Sequence, residues 1–285
     1  MSSKPKLESL KKITRRSSIG LIAAGIPSGI WAGAIEPNQL SVTQREITLP
    51  RWSKALDGFK IAQLTDLHYR PGADDKLLAK LIAAVKKETP DLITLTGDFV
   101  IHDSSSLPEL FRELKALSAP QGIIASPGNH DRWYCSHSFL RKEIEKSGAT
   151  FLSNANTTLS IKGDEIFVAG IDSIWGGKPS PPKTWEGHKR HQPVIALVHE
   201  PDAFDHLRPY HRIDLQLYGH THGGQCRVPL IGYAPAKVKH GKNYIYGHFE
   251  KDQSQLWVGR GVGTVGIRVR FACAPELVVL TLRSS

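Results

Sequence analysis

The sequence predicts a layered α/β domain in which two β-sheets pack on each other, running from about residue 44 to the C-terminus. Three observations predict it. In the first half, short apolar runs alternate with helical patterns in a βαβαβ-like order. The second half is richer in strand patterns separated by Gly or Pro turns, with no internal repeat. And 285 residues, 40% hydrophobic and 22% charged, are enough for a substantial core without a tract biased toward disorder. Length alone fits one large domain or two small ones.

Taken in order, the chain opens on basic Lys11, Lys12, Arg15 and Arg16, an uncharged stretch from Ser17 to Ile35, and the small triplet Ala32-Gly33-Ala34. That is the order of an export signal, and the Arg15-Arg16 pair is similar to a twin-arginine signal. Residues 1–34 are therefore expected to be a signal, cleaved or kept as a membrane anchor. The stretch lacks the polar face of a core helix, while Gly20, Gly25, Pro27, Ser28 and Gly29 weaken it as a stable span. The remainder would face the far side of a bacterial inner membrane.

Residues 44–285 are expected to form the folded domain. Strands are predicted over Phe59 to Thr65, Leu92 to Thr96, Gly122 to Ser126, Ile166 to Ile171, Val194 to Val198, Ile213 to Leu217, Leu256 to Gly259 and Leu277 to Leu282. In DDKLLAKLIAAVKKE, Leu77, Leu78, Leu81, Ile82 and Val85 share one helical face, and Pro90 closes the helix. Further helices are predicted over Pro108 to Leu117 and Phe139 to Lys146, the last ended by Gly148. The Pro- and Lys-rich stretch 176–193 is long for a connection and is either a substrate-facing loop or a plain surface loop.

Composition narrows the partners. Of the net charge of +10, half belongs to residues 1–34, so the remainder of the chain carries 31 basic and 26 acidic residues. That mild bias favours anionic substrates or membrane surfaces, and without a basic arm or stripe no nucleic acid is expected. The three cysteines, Cys135, Cys226 and Cys273, exclude a fully paired disulfide framework and give no zinc-ribbon spacing.

Five polar clusters each directly follow an apolar run: Thr65-Asp66-Leu67-His68, Gly97-Asp98, Gly128-Asn129-His130-Asp131, Val198-His199-Glu200 and Gly219-His220-Thr221-His222. Strand ends are where open α/β sheets gather ligand-binding side chains, so these five are expected to converge on one crevice. Carboxylate oxygen with neutral imidazole suits divalent Zn, Mn or Fe, and no cysteine stands in any cluster. In Asp66-x-His68 and His220-x-His222, two donors lie on the same side of an extended segment, each pair able to grip one ion.

The ordered set DLH, GD, GNHD, a lone histidine and GHTH resembles the calcineurin-like metallophosphoesterases. With GHTHGGQCRVP and GRGVG it is similar to the exported bacterial phosphodiesterases among them, over about residues 59 to 282. The resemblance implies a four-layer fold, two packed mixed β-sheets flanked by α-helices. It implies two divalent ions (Mn, Fe or Zn): Asp66, His68 and His222 on one, Asn129, His199 and His220 on the other, and Asp98 between them. Hydrolysis would come from a hydroxide bridging the ions. His130 would assist the leaving oxygen, and Asp131 would orient its ring or cap the next turn.

Arg260, in Gly259-Arg260-Gly261-Val262-Gly263, is expected to hold a phosphate oxygen, and Arg132, Tyr69 and Asp172 are candidates for the rim. The expected reaction is hydrolysis of a phosphodiester or pyrophosphate in a small-molecule or lipid-linked substrate, by a monomer exported through the twin-arginine machinery. The family also includes enzymes that cleave UDP-2,3-diacylglucosamine in lipid A synthesis, a second possibility. A non-catalytic metal-binding envelope module would be expected to lack a ligand or the proton donor, and here none is missing.

Overall fold

The computed structural model describes residues 28–207, 212–228 and 243–285. The described residues form two six-stranded sheets. The first holds β1 (Ser41–Leu49), β2 (Phe59–Leu64), β3 (Leu92–Thr96), β4 (Ile123–Ser126), β5 (Thr150–Phe151) and β12 (Glu276–Ser284), in the order β1-β12-β2-β3-β4-β5. The second holds β6 (Ala155–Ile161), β7 (Asp164–Gly170), β8 (Val194–Leu197), β9 (Leu215–Tyr218), β10 (Gly247–Lys251) and β11 (Ser254–Val258), in the order β10-β11-β9-β8-β7-β6. Both sheets are mixed. In the first, β12 is antiparallel to β2; in the second, β10 and β6 are antiparallel to their neighbours.

Period-two alternation along the buried strands feeds two cores at once. Ile61, Leu92, Ile124 and Leu280 face Val168, Ile195, Leu217 and Trp257 across the space between the sheets. On the other face of the first sheet, Ala62, Leu64, Ile93 and Leu95 pack beneath α1 (Asp75–Glu88), α2 (Leu107–Leu114) and α4 (His137–Lys146); α3 (Asn129–Tyr134) stands at the end of β4. Leu77, Leu78, Leu81 and Val85 form the buried face of α1, as its spacing predicts, and Thr89 in a left-handed conformation ends it before Pro90. The outer face of the second sheet is covered more thinly, by residues including Phe204 and Leu207 of the helical turn Phe204–Leu207.

The stretch 176–193 is taken up by covering the β6 edge. Asn156 Nδ2 donates to the carbonyls of Thr184 and Glu186, both at 3.0 Å, and Arg51 Nη1 donates to those of Arg190 and Gln192.

Of the expected signal, residues 1–27 lie outside the described residues. The chain is part of the fold earlier than residue 44. Glu36 is buried, accepting from the amides of Ala272 and Cys273 and from Trp31 Nε1, and Arg270 N donates to Ala32 O at 2.9 Å.

Parallel register brings the relevant strand ends level. Leu64 pairs with Leu95 and Thr96 with Ser126 in the first sheet, Leu197 with Leu217 in the second. All five strands run toward the same end of the sandwich.

Candidate dinuclear metal centre

At that end the backbone leaves ordinary conformations. Asp66, His68, Asp98, His220 and His222 all have positive φ, between 36° and 68°. A non-glycine residue there costs on the order of 1–3 kcal/mol and persists only where its surroundings hold it. Here the loops hold one another: Asp66 N donates to Gly97 O, His68 N to Asp98 O, and His220 N to Asp66 Oδ1 at 2.9 Å. Two glycines permit the approach. A Cβ on Gly128 would sit 2.3 Å from Asp98 Oδ1, and one on Gly219 would sit 2.2 Å from Asp66 Oδ2.

The side chains form overlapping groups whose donor atoms lie within 4.8 Å of one another: Asp66, His68 and His222; Asp98, His199 and His220; and His68, Asp98 and His130. His222 Nε2 is 3.3 Å from Asp66 Oδ1, while Asp98 Oδ2 lies 3.4 Å from His68 Nε2 and 3.1 Å from His199 Nε2. Asn129 Oδ1 joins at 2.7 Å from His220 Nδ1. Asp98 is thus shared by two groups of donors.

Backbone carbonyls set the imidazoles. Val100 O, Thr96 O and Ile101 O lie 2.7, 2.7 and 2.6 Å from Nδ1 of His68, His199 and His130. A carbonyl only accepts, so each Nδ1 carries a proton, which leaves Nε2 of His68 and His199 as the nitrogen an ion would take, as in ligating histidines fixed by an outer partner. His199 Nε2 and His222 Nδ1 are buried without a hydrogen-bond partner.

The electrostatics ask for positive charge. Burial, reinforced by the charge of His199, holds His220 down to about 3, so it stays a neutral donor. Burial pulls His199 down as well, but the carboxylates of Asp98 and Asp66 outweigh it and raise it well above the usual value. Burial pushes Asp98 up, yet His199 and His68 hold its carboxyl well below the usual range. Two carboxylates this deep draw cations toward them. Two carboxylates, one amide oxygen and four imidazoles, with no thiol among them, fit a pair of Mn, Fe or Zn ions.

The structure brings together all seven ligands expected from the sequence, and His130 beside them. It changes how the pairs work. Left-handed turns, not strand alternation, aim Asp66 and His68 into one group, and His220 and His222 are divided between two groups.

Asp131 does not orient His130. Its carboxylate accepts from the amides of Asp98, Phe99, Val100 and Gly128 at 2.8 to 3.3 Å, and Ile101 O holds the imidazole instead.

Arg260 does not reach the cluster either. Its guanidinium pairs with buried Glu276 at 2.9 Å, donates to Ser41 Oγ and lines a separate cavity with Arg45, Tyr246 and His248. The guanidinium expected to hold a phosphate oxygen is thus engaged with Glu276. Tyr69 Oη donates to Asp75, away from the cluster, and Arg132 pairs with Asp172 at 3.1 Å, bracing α3.

Sequence reasoning missed three residues. Trp133 and Trp175 line the cleft beside the ligand cluster, together with His130, His220 and Gln225. Trp133 had a signal, standing one helical turn after His130; Trp175 had none. Arg270 is fully buried and donates to the carbonyls of Arg260, Gly261, Gly263 and Cys273, fixing the loop whose Val262 and Gly263 amides bond Thr65 O and Asp66 O. Nothing in the local pattern RVRF marks it as buried.

Residues 59–224 match the family described as Calcineurin-like phosphoesterase. The chain is 31% identical to the uncharacterized metallophosphoesterase YkuE of Bacillus subtilis (strain 168), covering 97% of this chain and 100% of that protein. It is 32% identical to the phosphodiesterase YaeI of Escherichia coli (strain K12), covering 95% and 99%. It is 27% identical to the UDP-2,3-diacylglucosamine pyrophosphatase LpxG of Chlamydia trachomatis, covering 91% and 94%.

Proposed function

The chain belongs to the calcineurin-like phosphoesterase family, and on that premise we propose that its seven clustered side chains hold the two divalent ions with which it hydrolyses phosphodiesters. It is a dinuclear metal-dependent phosphoesterase. In this reading Asp66, His68 and His222 hold one ion, Asn129, His199 and His220 the other, and Asp98 both. The observation that carries it is the position of Asp98, whose Oδ2 lies 3.4 Å from His68 Nε2 and 3.1 Å from His199 Nε2, one histidine from each set. When bound, such a pair of ions supplies a water of lowered pKa and neutralises charge on the phosphoryl oxygens.

The chain's own residues do the rest. Val100 and Thr96 carbonyls keep His68 and His199 in the ligating tautomer. His130, fixed at Nδ1 by Ile101 O, turns Nε2 to the cleft, where a protonated imidazole gives its proton to the departing ester oxygen. The test is turnover of bis(p-nitrophenyl) phosphate with Mn²⁺, alongside elemental analysis. Two bound metals without turnover would leave a binding module and overturn the reading.

A second reading, hydrolysis of the pyrophosphate in a nucleotide-linked acylated sugar, is favoured by similarity to LpxG over 91% of the chain. Product analysis separates the two: it requires release of a nucleoside monophosphate from the nucleotide sugar. We further propose that residues 1–34 direct the folded protein to the outer side of an inner membrane, on the strength of Arg15-Arg16 before an uncharged stretch. No helix among the described residues is long and apolar enough to cross a membrane. Changing Arg15 and Arg16 together to Lys should keep the protein in the cytoplasm; unchanged export would refute the assignment.

A further inference from the structure

The cleft over the ligand cluster has a volume of about 490 Å³, and its lining is of two kinds. One is backbone and modest side chains: Gly224, Gln225, Cys226, Val265 and Gly266. The other carries two indoles that the fold leaves open to solvent, Trp133 at 48% exposed and Trp175 at 40%. Burying a tryptophan is worth more to a fold than almost any other side chain, so two held half-open at a cleft mark a surface kept for a partner molecule.

Both indoles are built in. Trp133 stands on α3, its ring 5.3 Å from that of His130. Trp175 meets His220 edge-on at 4.6 Å. The loop bearing Trp175 is fixed by Ser173 Oγ, which accepts from the amides of Trp175 and Gly176 and itself donates to buried Glu200. Gly176 then packs directly on α3, where a Cβ would lie 2.9 Å from Asn129 O and 3.1 Å from Trp133 Cδ1. The two rings and the metal ligands are therefore parts of one rigid assembly.

We propose that Trp133 and Trp175 form a stacking wall that selects phosphoesters whose esterifying group is a planar ring, a nucleoside or an aryl group, over those bearing an alkyl chain. The inference rests on the reading above, which puts phosphorus at the cluster and the departing oxygen at His130. A group on that oxygen meets Trp133, beside His130, first. Indole faces stack on any planar π-system, and such stacking tolerates different bases because it reads no ring edge. The cavity is in the range that holds a ring with its phosphate.

The probes are phenylphosphonate, methylphosphonate and n-hexylphosphonate, titrated calorimetrically into the Mn²⁺-loaded protein and tested as competitors of bis(p-nitrophenyl) phosphate. The wild type should bind phenylphosphonate about tenfold more tightly than methylphosphonate, the strength of one ring stack, and more tightly than the hexyl compound. Trp133→Ala and Trp175→Ala should each shrink the phenyl preference while leaving methylphosphonate binding and metal content unchanged, and Trp133→Phe should restore much of it. Equal binding of the three, tighter hexyl binding, or a preference that survives both alanine variants would overturn the proposal. Calorimetry reports binding even where no ester is turned over, so failure of the hydrolase reading is seen separately.

Discussion

Asp131 and His130 are neighbours in sequence with opposite duties, and substitution should separate them. Asp131 is buried and accepts four backbone amides from the loops after β3 and β4, so its carboxylate holds the turn that presents Asp98. In Asp131→Ala those donors lose their acceptor. At about 1–3 kcal/mol for each buried group left unpaired, partly relieved by water, a loss of about 3 kcal/mol is expected. That lowers the melting temperature by about 6–12 °C for a domain of this size. His130, only partly buried and bonded to one carbonyl, contributes little to stability. His130→Asn should melt within about 2 °C of wild type and lose about 10²- to 10⁴-fold in kcat, the usual worth of a positioned proton donor. Thermal melts and steady-state kinetics on the two variants decide it. An Asp131→Ala protein as stable as wild type but with the pH–rate profile of His130→Asn would restore the orienting role denied to Asp131 here.

At the scale of elements, the sequence patterns located the buried strands and missed the rest for one reason. β1, β5, β6 and β10 are the outermost strands of the two sheets, and none was predicted. An edge strand is covered on fewer sides, so Ser41–Leu49 and Ala155–Ile161 alternate polar and apolar residues or carry Thr and Ser where a central strand would show an unbroken apolar run. β3, buried at every position, was predicted residue for residue. The ligands were legible because each follows such a run. Their left-handed turns were not, since only tertiary hydrogen bonds such as His68 N to Asp98 O hold them. The ion pair of Arg260 was not legible because its partner Glu276 is 16 residues distant, and no local pattern announces it. One turn is held against its local preference without any such ligand. Thr89 ends α1 at φ 46° and ψ 57°, a conformation that crowds a β-branched side chain, and it is exposed. Thr89→Gly should therefore stabilise the protein by about 0.5–1 kcal/mol, raising the melting temperature by about 1–4 °C with no change in activity. A lower melting temperature would mean that the threonine makes a compensating contact.

Across the whole molecule, the two sheets are joined by an apolar core that has no directional bonds and by polar fastenings at its two ends. At the end away from the cluster, Arg51 after β1 grips Asp214 before β9, and Asp214 also accepts from Val194 N at 2.7 Å. At the cluster end, Asp66, His68, Asp98 and Asn129 come from the first sheet, and His199, His220 and His222 from the second. Cations held there tie the sheets together, and their removal leaves two buried carboxylates facing each other through imidazoles. Binding that occurs only in the folded state stabilises it by RT ln(1 + [L]/Kd), about 4 kcal/mol at a thousandfold excess of metal over Kd. Stripping the metals with a chelator should then lower the melting temperature by about 8–16 °C, and stoichiometric Mn²⁺ should restore it. Because the inter-sheet core is continuous, melting should remain a single transition with and without metal, its heat scaling with the whole domain. Two transitions after chelation would show that the cluster, more than the core, unites the sheets. An unchanged melting temperature, with metal loss verified by elemental analysis, would show that the cluster closes without help from cations and would remove the structural role assigned to them.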